Sequence, residues 1–150
     1  MKRCHFNSWV AKLLLFPTYT AVTLLYNSFF KKDEDEYSMD DINHECIHQV
    51  QQMECSVIGL ALGLVLCGLF NLSLWWIIIL GLGFFYIWYG IEYLIILCFA
   101  KWNKQNERYH DVSFEEEAHN NDGDWDYLED RKPFAWIKYI KLRSYKKWES

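Results

Sequence analysis

Formal charge is almost missing from one long stretch of this sequence. Across residues 55–100 Glu92 is the sole charged side chain, with Ser56, Asn71 and Ser73 nearly the only other polar ones. A run this apolar exceeds the core segment of an ordinary water-soluble domain. A simple soluble globule is excluded, and so is disorder in this region. A surplus of positive charge is missing too: the net charge is −5, which gives no electrostatic footprint for nucleic acid. The cysteines lack an even count. There are five, and Cys55, Cys67 and Cys98 sit in or beside apolar spans, so reduced thiols are expected rather than a disulfide framework. No internal repeat is visible, and 150 residues fit a single domain. A cleavable leader is not expected: Lys2 and Arg3 precede a short apolar run at 13–16, but Lys12 interrupts it, Pro17 ends it and no clean small-residue site follows.

What is present is segregated. Hydrophobic residues make up 52% of the chain, yet the mean hydropathy is only −0.13. Six of the seven glycines fall in the apolar block, as glycine does where membrane helices pack closely, and Gly59 with Gly63 forms a small-xxx-small pair. The break at Asn71–Ser73 divides the block into residues 56–70 and 74–100, about 22 Å and 40 Å long as helices. The expectation is a transmembrane helical hairpin over 56–100. Its first arm is shorter than a hydrocarbon core of about 30 Å, so it borrows a turn from the preceding helix, sits in a thinned bilayer, or inserts partly. Trp75 and Trp76 at the turn, with Trp88, Tyr89, Tyr93 and Trp102 toward the other end, fit aromatic belts. Two crossings return the chain to its starting side. Lys31, Lys32, Lys101, Lys104 and Arg108 flank that side, which the positive-inside tendency assigns to the cytoplasm.

Around the hairpin, residues 1–32 read as an N-terminal apolar segment, with a short strand or membrane-associated extended piece over 21–30. An acidic loop of Asp33, Glu34, Asp35, Glu36, Asp40 and Asp41 follows. A helix is expected over 38–55, capped by Ser38 or Asp40 and continuing into the apolar block because no glycine or proline interrupts it. Residues 131–150 form a basic, aromatic tail suited either to an anionic membrane surface or to solvent.

The chemistry resides in His44-Glu45-Cys46-Ile47-His48, a match to HExxH. Residues four apart stack on one helix face, so both imidazoles can converge on one metal ion while Glu45 reaches a water activated by it. A catalytic zinc site commonly needs a third protein ligand. Glu54 stands ten residues after His44, where the metzincin spacing places one, but Gln51 occupies the position of the required glycine. A continuous helix turns Glu54 about 120° from His48, so Glu54 reads as an ordinary polar residue at the membrane boundary. A better source is a second acidic helix over 112–122. Ser113 with Glu116 suggests a capping box, which puts Glu115 in the first turn with His119 and Asp122 stacked on its face. Glu115 and Glu117 are the candidates for the third ligand, Glu115 by its facing together with the resemblance described next.

HExxH on one helix and a Glu-x-x-Ala element on a later one resemble the gluzincin metallopeptidases, whose membrane members include CAAX-processing proteases and sensor-type antirepressor proteases. The resemblance implies a minimal zincin-like site in a mainly α fold, with Zn²⁺ completed by Glu115. The strings INHECIHQVQQME, FYIWYGIEYL, SFEEEAHNND and YLEDRKPFAWIKY are also similar to a family of small bacterial membrane proteins with the same order of elements and no established substrate. Gluzincins often carry an aspartate four residues after the third ligand to support a zinc histidine; here that position is His119.

His119 is therefore a candidate metal or oxyanion contact, or an exposed polar residue. Asp122 is a further candidate support around the metal. Glu92, an ionisable residue at membrane depth, is either functional or paired near the interface, for example with Lys101 or Arg108. Asp122, Asp124 and Asp126 around Gly123 do not follow the EF-hand order and read as a turn. The expectation is a membrane-embedded zinc metallopeptidase acting on a peptide or protein substrate at the membrane surface. His44, His48 and Glu115 would hold Zn²⁺ and Glu45 would act as the catalytic base. The alternative is a noncatalytic membrane scaffold with an incidental or structural metal site. A diiron hydroxylase needs more histidine clusters than His44, His48, His110 and His119 provide.

Overall fold

Ser38 and Asp41 begin the main helix by satisfying each other's backbone amides. Asp41 N–H donates to Ser38 Oγ at 3.1 Å and Ser38 N–H donates to Asp41 Oδ2 at 3.0 Å, a capping box with aspartate in the glutamate position. In this computed structural model, which describes residues 3–16, 19–99 and 110–140, the resulting helix α2 spans Met39–Phe70 without interruption. The HExxH segment and the first apolar arm are thus one rod, about 48 Å long at 1.5 Å per residue. It ends at Asn71 in the left-handed region (φ 54°, ψ 39°), a conformation asparagine tolerates better than most residues. Helix α3, Trp75–Phe99, then runs back along it.

Glycines set the closeness of that pairing. A Cβ on Gly59 would collide with the Leu80 carbonyl oxygen, and one on Gly63 would lie 2.8 Å from Ile77 Cα. Gly81 answers from the other side, where a Cβ would meet Leu60 at 2.6 Å. Both helices are long and apolar enough to cross a membrane. Their outward faces leave large apolar side chains uncovered: Leu64 is 61% and Leu94 is 61% exposed, which suits lipid rather than water.

The N-terminal segment is not a single extended piece. It folds as β1 (Cys4–His5), α1 (Trp9–Leu14), β2 (Ala21–Leu24) and β3 (Asn27–Phe30), giving a three-stranded sheet in the order β1-β3-β2. β1 runs parallel to β3, whereas β2 is antiparallel to it, with Thr23 opposite Ser28. The hairpin turn between β2 and β3 is Leu25-Tyr26, both at positive φ (47° and 66°). That geometry normally selects Asn-Gly, so the dipeptide gives no turn signal in the sequence. Tertiary bonds hold it instead: Leu25 N–H donates to Tyr86 Oη at 3.0 Å, and Tyr26 N–H donates to Gln52 Oε1 at 2.9 Å.

Beyond the hairpin, α4 spans Ser113–Asn121 and the short α5 spans Tyr127–Asp130. The expected Ser113–Glu116 capping box does not form: Val112 is the N-cap and makes no side-chain cap bond. Glu92 has claimed the serine. Its carboxylate accepts Ser113 N–H at 3.0 Å and Ser113 Oγ–H at 2.7 Å, pinning the start of α4 to α3. Asn43 fastens the other end, its amide donating to the carbonyls of Asp122 at 3.0 Å and Asp124 at 2.9 Å. The aspartate-rich stretch is accordingly a turn.

Residues 131–140 do not form a surface tail. Arg131 is buried between α2 and α4, and Trp136, 3% exposed, packs with Phe85, Val112 and Phe114. Charge pairing inside the fold outweighs membrane attraction for this arginine, because it meets two carboxylates, the buried Glu117 and the half-buried Glu54 (below). The tail residues at 141–150, and Lys101, Trp102, Lys104 and Arg108 flanking the hairpin, lie outside the described residues.

Candidate metal centre

One face of α2, the first turns of α4 and the edge strand β2 meet above the apolar part of the hairpin. His44 and His48 are one turn apart on α2, with their Nε2 atoms 3.2 Å from each other. Glu115, from α4, completes a triangle: its carboxylate lies 3.5 Å from His44 Nε2 and 3.6 Å from His48 Nε2. An ion coordinated tetrahedrally at 2.0–2.1 Å has ligand atoms about 3.3 Å apart. The separation of the two ring nitrogens fits that edge length, the Glu115 distances run to Oε2 from His44 and to Oε1 from His48, and the three residues form a possible metal-binding group.

The hydrogen bonds around the triangle make it a set of acceptors. His48 Nδ1 lies 2.7 Å from Gln51 Oε1; a carbonyl oxygen cannot donate, so Nδ1 carries the proton and the Nε2 lone pair points inward. Gln51 is itself fixed, its amide donating to Phe114 O and to Glu117 Oε2, each at 3.0 Å. His44 Nδ1 faces Asp122 Oδ2 at 3.5 Å, a negative group beside its outer nitrogen. Two ring nitrogens and a carboxylate thus converge on one point, where a cation, or without one a proton on the rings, relieves the repulsion of their lone pairs. Tyr89 Oη–H donates to Glu115 Oε1 at 3.1 Å and steadies the carboxylate. Burial would push the Glu115 carboxyl up, but the His48 and His44 rings outweigh it and hold it well below the usual carboxylate range.

Glu45 stands beside this group, its Oε2 accepting a 2.5 Å bond from Thr23 Oγ1 on β2. Thr23 O in turn accepts from the Gln52 amide at 2.8 Å. Between β2 and the histidines opens a cleft of about 710 Å³ whose lining includes His44, Glu45, His48, Glu115, His119 and Asp122. His119 packs against His44 with ring centroids 4.5 Å apart, and its Nδ1 lies 3.5 Å from Asp122. Burial, then the neighbouring His44 and His110 rings, push its pKa down, leaving a neutral ring at the cleft wall.

The two remaining acidic candidates are placed elsewhere. Glu117 is fully buried, and two residues along a helix turn it about 200° from Glu115. Its carboxylate accepts from Tyr127 Oη at 2.7 Å and from Arg131 Nε at 2.7 Å, so it is an ion-pair partner and not a neighbour of the histidines. Glu54 is more than an ordinary boundary residue: both of its oxygens accept from Arg131, at 2.6 and 3.0 Å, and it also takes Phe134 N–H at 2.7 Å. Burial alone would lower the Arg131 pKa, but the two carboxylates raise it further than burial depresses it. This bridge braces α4 against α2 on the helix face turned away from Glu115. Glu92 contributes from the other side through Ser113 rather than by reaching the histidines.

Sequence reasoning missed Gln51, Thr23 and Tyr89. Gln51 alone had a local signal, since three residues after His48 places it on the same helix face. The other two come together only through tertiary folding. Comparison with known protein families, with characterised proteins and with solved structures finds no match to this chain.

Proposed function

We propose that this chain is a membrane-embedded zinc metallopeptidase, hydrolysing peptide bonds of a protein or peptide substrate in the cleft between β2 and the HExxH helix. The observation that carries the reading is the convergence of two imidazole Nε2 atoms 3.2 Å apart with a carboxylate that reaches one ring with each oxygen, at 3.5 and 3.6 Å, on a cleft beside a second carboxylate held by Thr23. His44, His48 and Glu115 would hold the ion. When bound, Zn²⁺ supplies Lewis acidity, polarising a substrate carbonyl and acidifying water.

The chain's own residues do the rest. Glu45 takes a proton from the attacking water and delivers it to the departing amine nitrogen. Thr23 fixes the carboxylate in one rotamer, so little orientation is lost on reaching the transition state. Asp122 and Gln51 hold the outer nitrogens of the two histidines, keeping both inner lone pairs available. β2 is an outer strand of the sheet and lines the cleft with residues 21–24; the Thr23 carbonyl is taken by Gln52, and the remaining edge groups suit an extended polypeptide added as a further strand. Lys31 and Lys32 lie on the site's side of the hairpin, which the positive-inside tendency makes cytoplasmic.

Metal analysis of purified protein tests the reading. The wild type and Glu45→Gln should each carry one zinc per chain, while His44→Ala and Glu115→Ala should lose it; Glu45→Gln should also lose hydrolysis. Equal zinc in the wild type and Glu115→Ala removes Glu115 from the site, and full proteolysis by Glu45→Gln removes its role as base.

A further inference from the structure

The cleft has two chemically unlike ends, and the course of β2 distinguishes them. The Thr20 carbonyl accepts Tyr37 Oη–H at 3.0 Å, just before α2 begins. Thr23 lies at Glu45, and past the strand Tyr26 Oη sits 2.7 Å from Ser56 Oγ. β2 therefore runs beside α2, from its first turn toward its apolar stretch. At the beginning of that path the cleft is lined by the exposed Asp40 and Asp41, with Asp122 nearby and Leu14, Leu15, Phe16 and Tyr19 bordering it; at its end it is lined by Leu24 and by Phe85, Tyr86, Tyr89 and Gly90 of α3, with no carboxylate among them. Ile87 and Ile91, in the same turns of α3, are 45% and 50% exposed on the hairpin's outer face. No lysine or arginine lines the cleft among the described residues.

We propose that the substrate is a polypeptide cut where it leaves the bilayer, its membrane-inserted segment toward α3 and a cluster of basic residues toward Asp40 and Asp41. The inference rests on the peptidase reading and narrows it to a substrate class. Charge complementarity selects the occupant of the acidic end, and continuity with the exposed face of α3 selects that of the apolar end. Antiparallel strand pairing is the more stable arrangement, so the substrate runs opposite to β2: apolar span on its N-terminal side, scissile bond, then basic residues on its C-terminal side. Membrane anchors with lysines on their cytoplasmic flank have this composition.

The test uses full-length protein in phosphatidylcholine vesicles, a neutral surface that does not itself attract lysine. Four synthetic peptides are compared: a leucine-rich span of about 20 residues followed by a polar stretch and four lysines; the same with four glutamates; the lysine peptide in reversed order; and the lysine segment without its span. Binding is read on zinc-loaded Glu45→Gln protein and cleavage on the wild type. The anchored lysine peptide is expected to bind about tenfold or more tighter than each of the other three, with a preference over glutamate that falls in high salt. Asp40→Asn, which keeps an oxygen for the Trp125 indole bond, should reduce that preference about threefold. Equal binding of lysine and glutamate peptides, or tighter binding of the reversed or unanchored one, overturns the proposal. Cleavage of all four peptides at equal rates keeps the peptidase and discards the substrate class. Selective binding of the anchored lysine peptide with no cleavage by the wild type keeps the cleft's recognition and discards the peptidase.

Discussion

Replacing Gln51 with methionine separates a metal-orienting role from a purely structural one. The side chain keeps its approximate volume, but the acceptor 2.7 Å from His48 Nδ1 disappears, and the ring becomes free to carry its proton on Nε2, where it blocks coordination. Loss of such an outer hydrogen bond commonly costs 10–100-fold in metal affinity, roughly 1.4–2.7 kcal/mol. The substitution also removes the donors to Phe114 O and Glu117 Oε2, which costs the metal-free fold about 1–3 kcal/mol. A variant that damages the fold without touching either histidine tells the two effects apart. Arg131→Met breaks the pairs to Glu54 and Glu117 and leaves the buried Glu117 carboxylate without its cation, a loss of about 3–5 kcal/mol. Zinc affinity, measured in detergent against a chromophoric chelator, should fall at least about tenfold for Gln51→Met and change less than about threefold for folded Arg131→Met. Thermal unfolding of the metal-free proteins should rank them in the opposite order. Zinc binding by Gln51→Met within about twofold of the wild type would refute the account of how His48 is oriented.

Gly59→Leu should destabilise the hairpin by about 1–3 kcal/mol or more through overpacking against the Leu80 carbonyl, seen as a lowered unfolding midpoint in detergent; an unchanged midpoint would mean α2 and α3 do not pack as described. Thr23→Val removes the donor to Glu45 and should lower kcat about tenfold while KM and zinc content stay as in the wild type; a change confined to KM would place Thr23 in substrate binding instead. The Glu115 carboxyl titrates below its unfolded value of about 4.3, so in acid the unfolded chain binds the extra proton. Its contribution to the metal-free fold is complete above that pH and drains away as pH falls further toward the folded-state pKa. The stability difference between the wild type and Glu115→Gln, measured without metal, should therefore shrink on acidification from pH 5 to pH 2, and a constant difference would contradict the depressed carboxyl.

The parts of the fold that were legible in the sequence are those governed by local rules. Ser38 capping, the unbroken helix through His44 and His48, the stop at Asn71 and the return helix each follow from residues adjacent in the chain. The spacing of Glu115, His119 and Asp122 on one helix face likewise anticipates which side chains approach His44. What stayed hidden depends on partners far apart in sequence. Leu25-Tyr26 has no turn composition and is held by α2 and α3. Ser113 looks like a cap until Glu92 takes its hydroxyl, and Arg131 looks like part of a basic tail until Glu54 and Glu117 enclose it. In each case a buried polar group found a long-range partner worth more than the local motif, and periodicity carries no record of such a pairing.

The two ligand-bearing helices lie on opposite sides of the hairpin in chain order: His44 and His48 precede both apolar arms, and Glu115 follows them. On the reading proposed here, a ribosome making this protein releases the two imidazoles long before the carboxylate exists, and a half-built pair holds zinc weakly against the chelators of the cell. Only after both arms have entered the bilayer does translation deliver α4, and Arg131, made later still, locks it in place. The nascent chain is thus inert on that reading until it is armed by completing its own insertion.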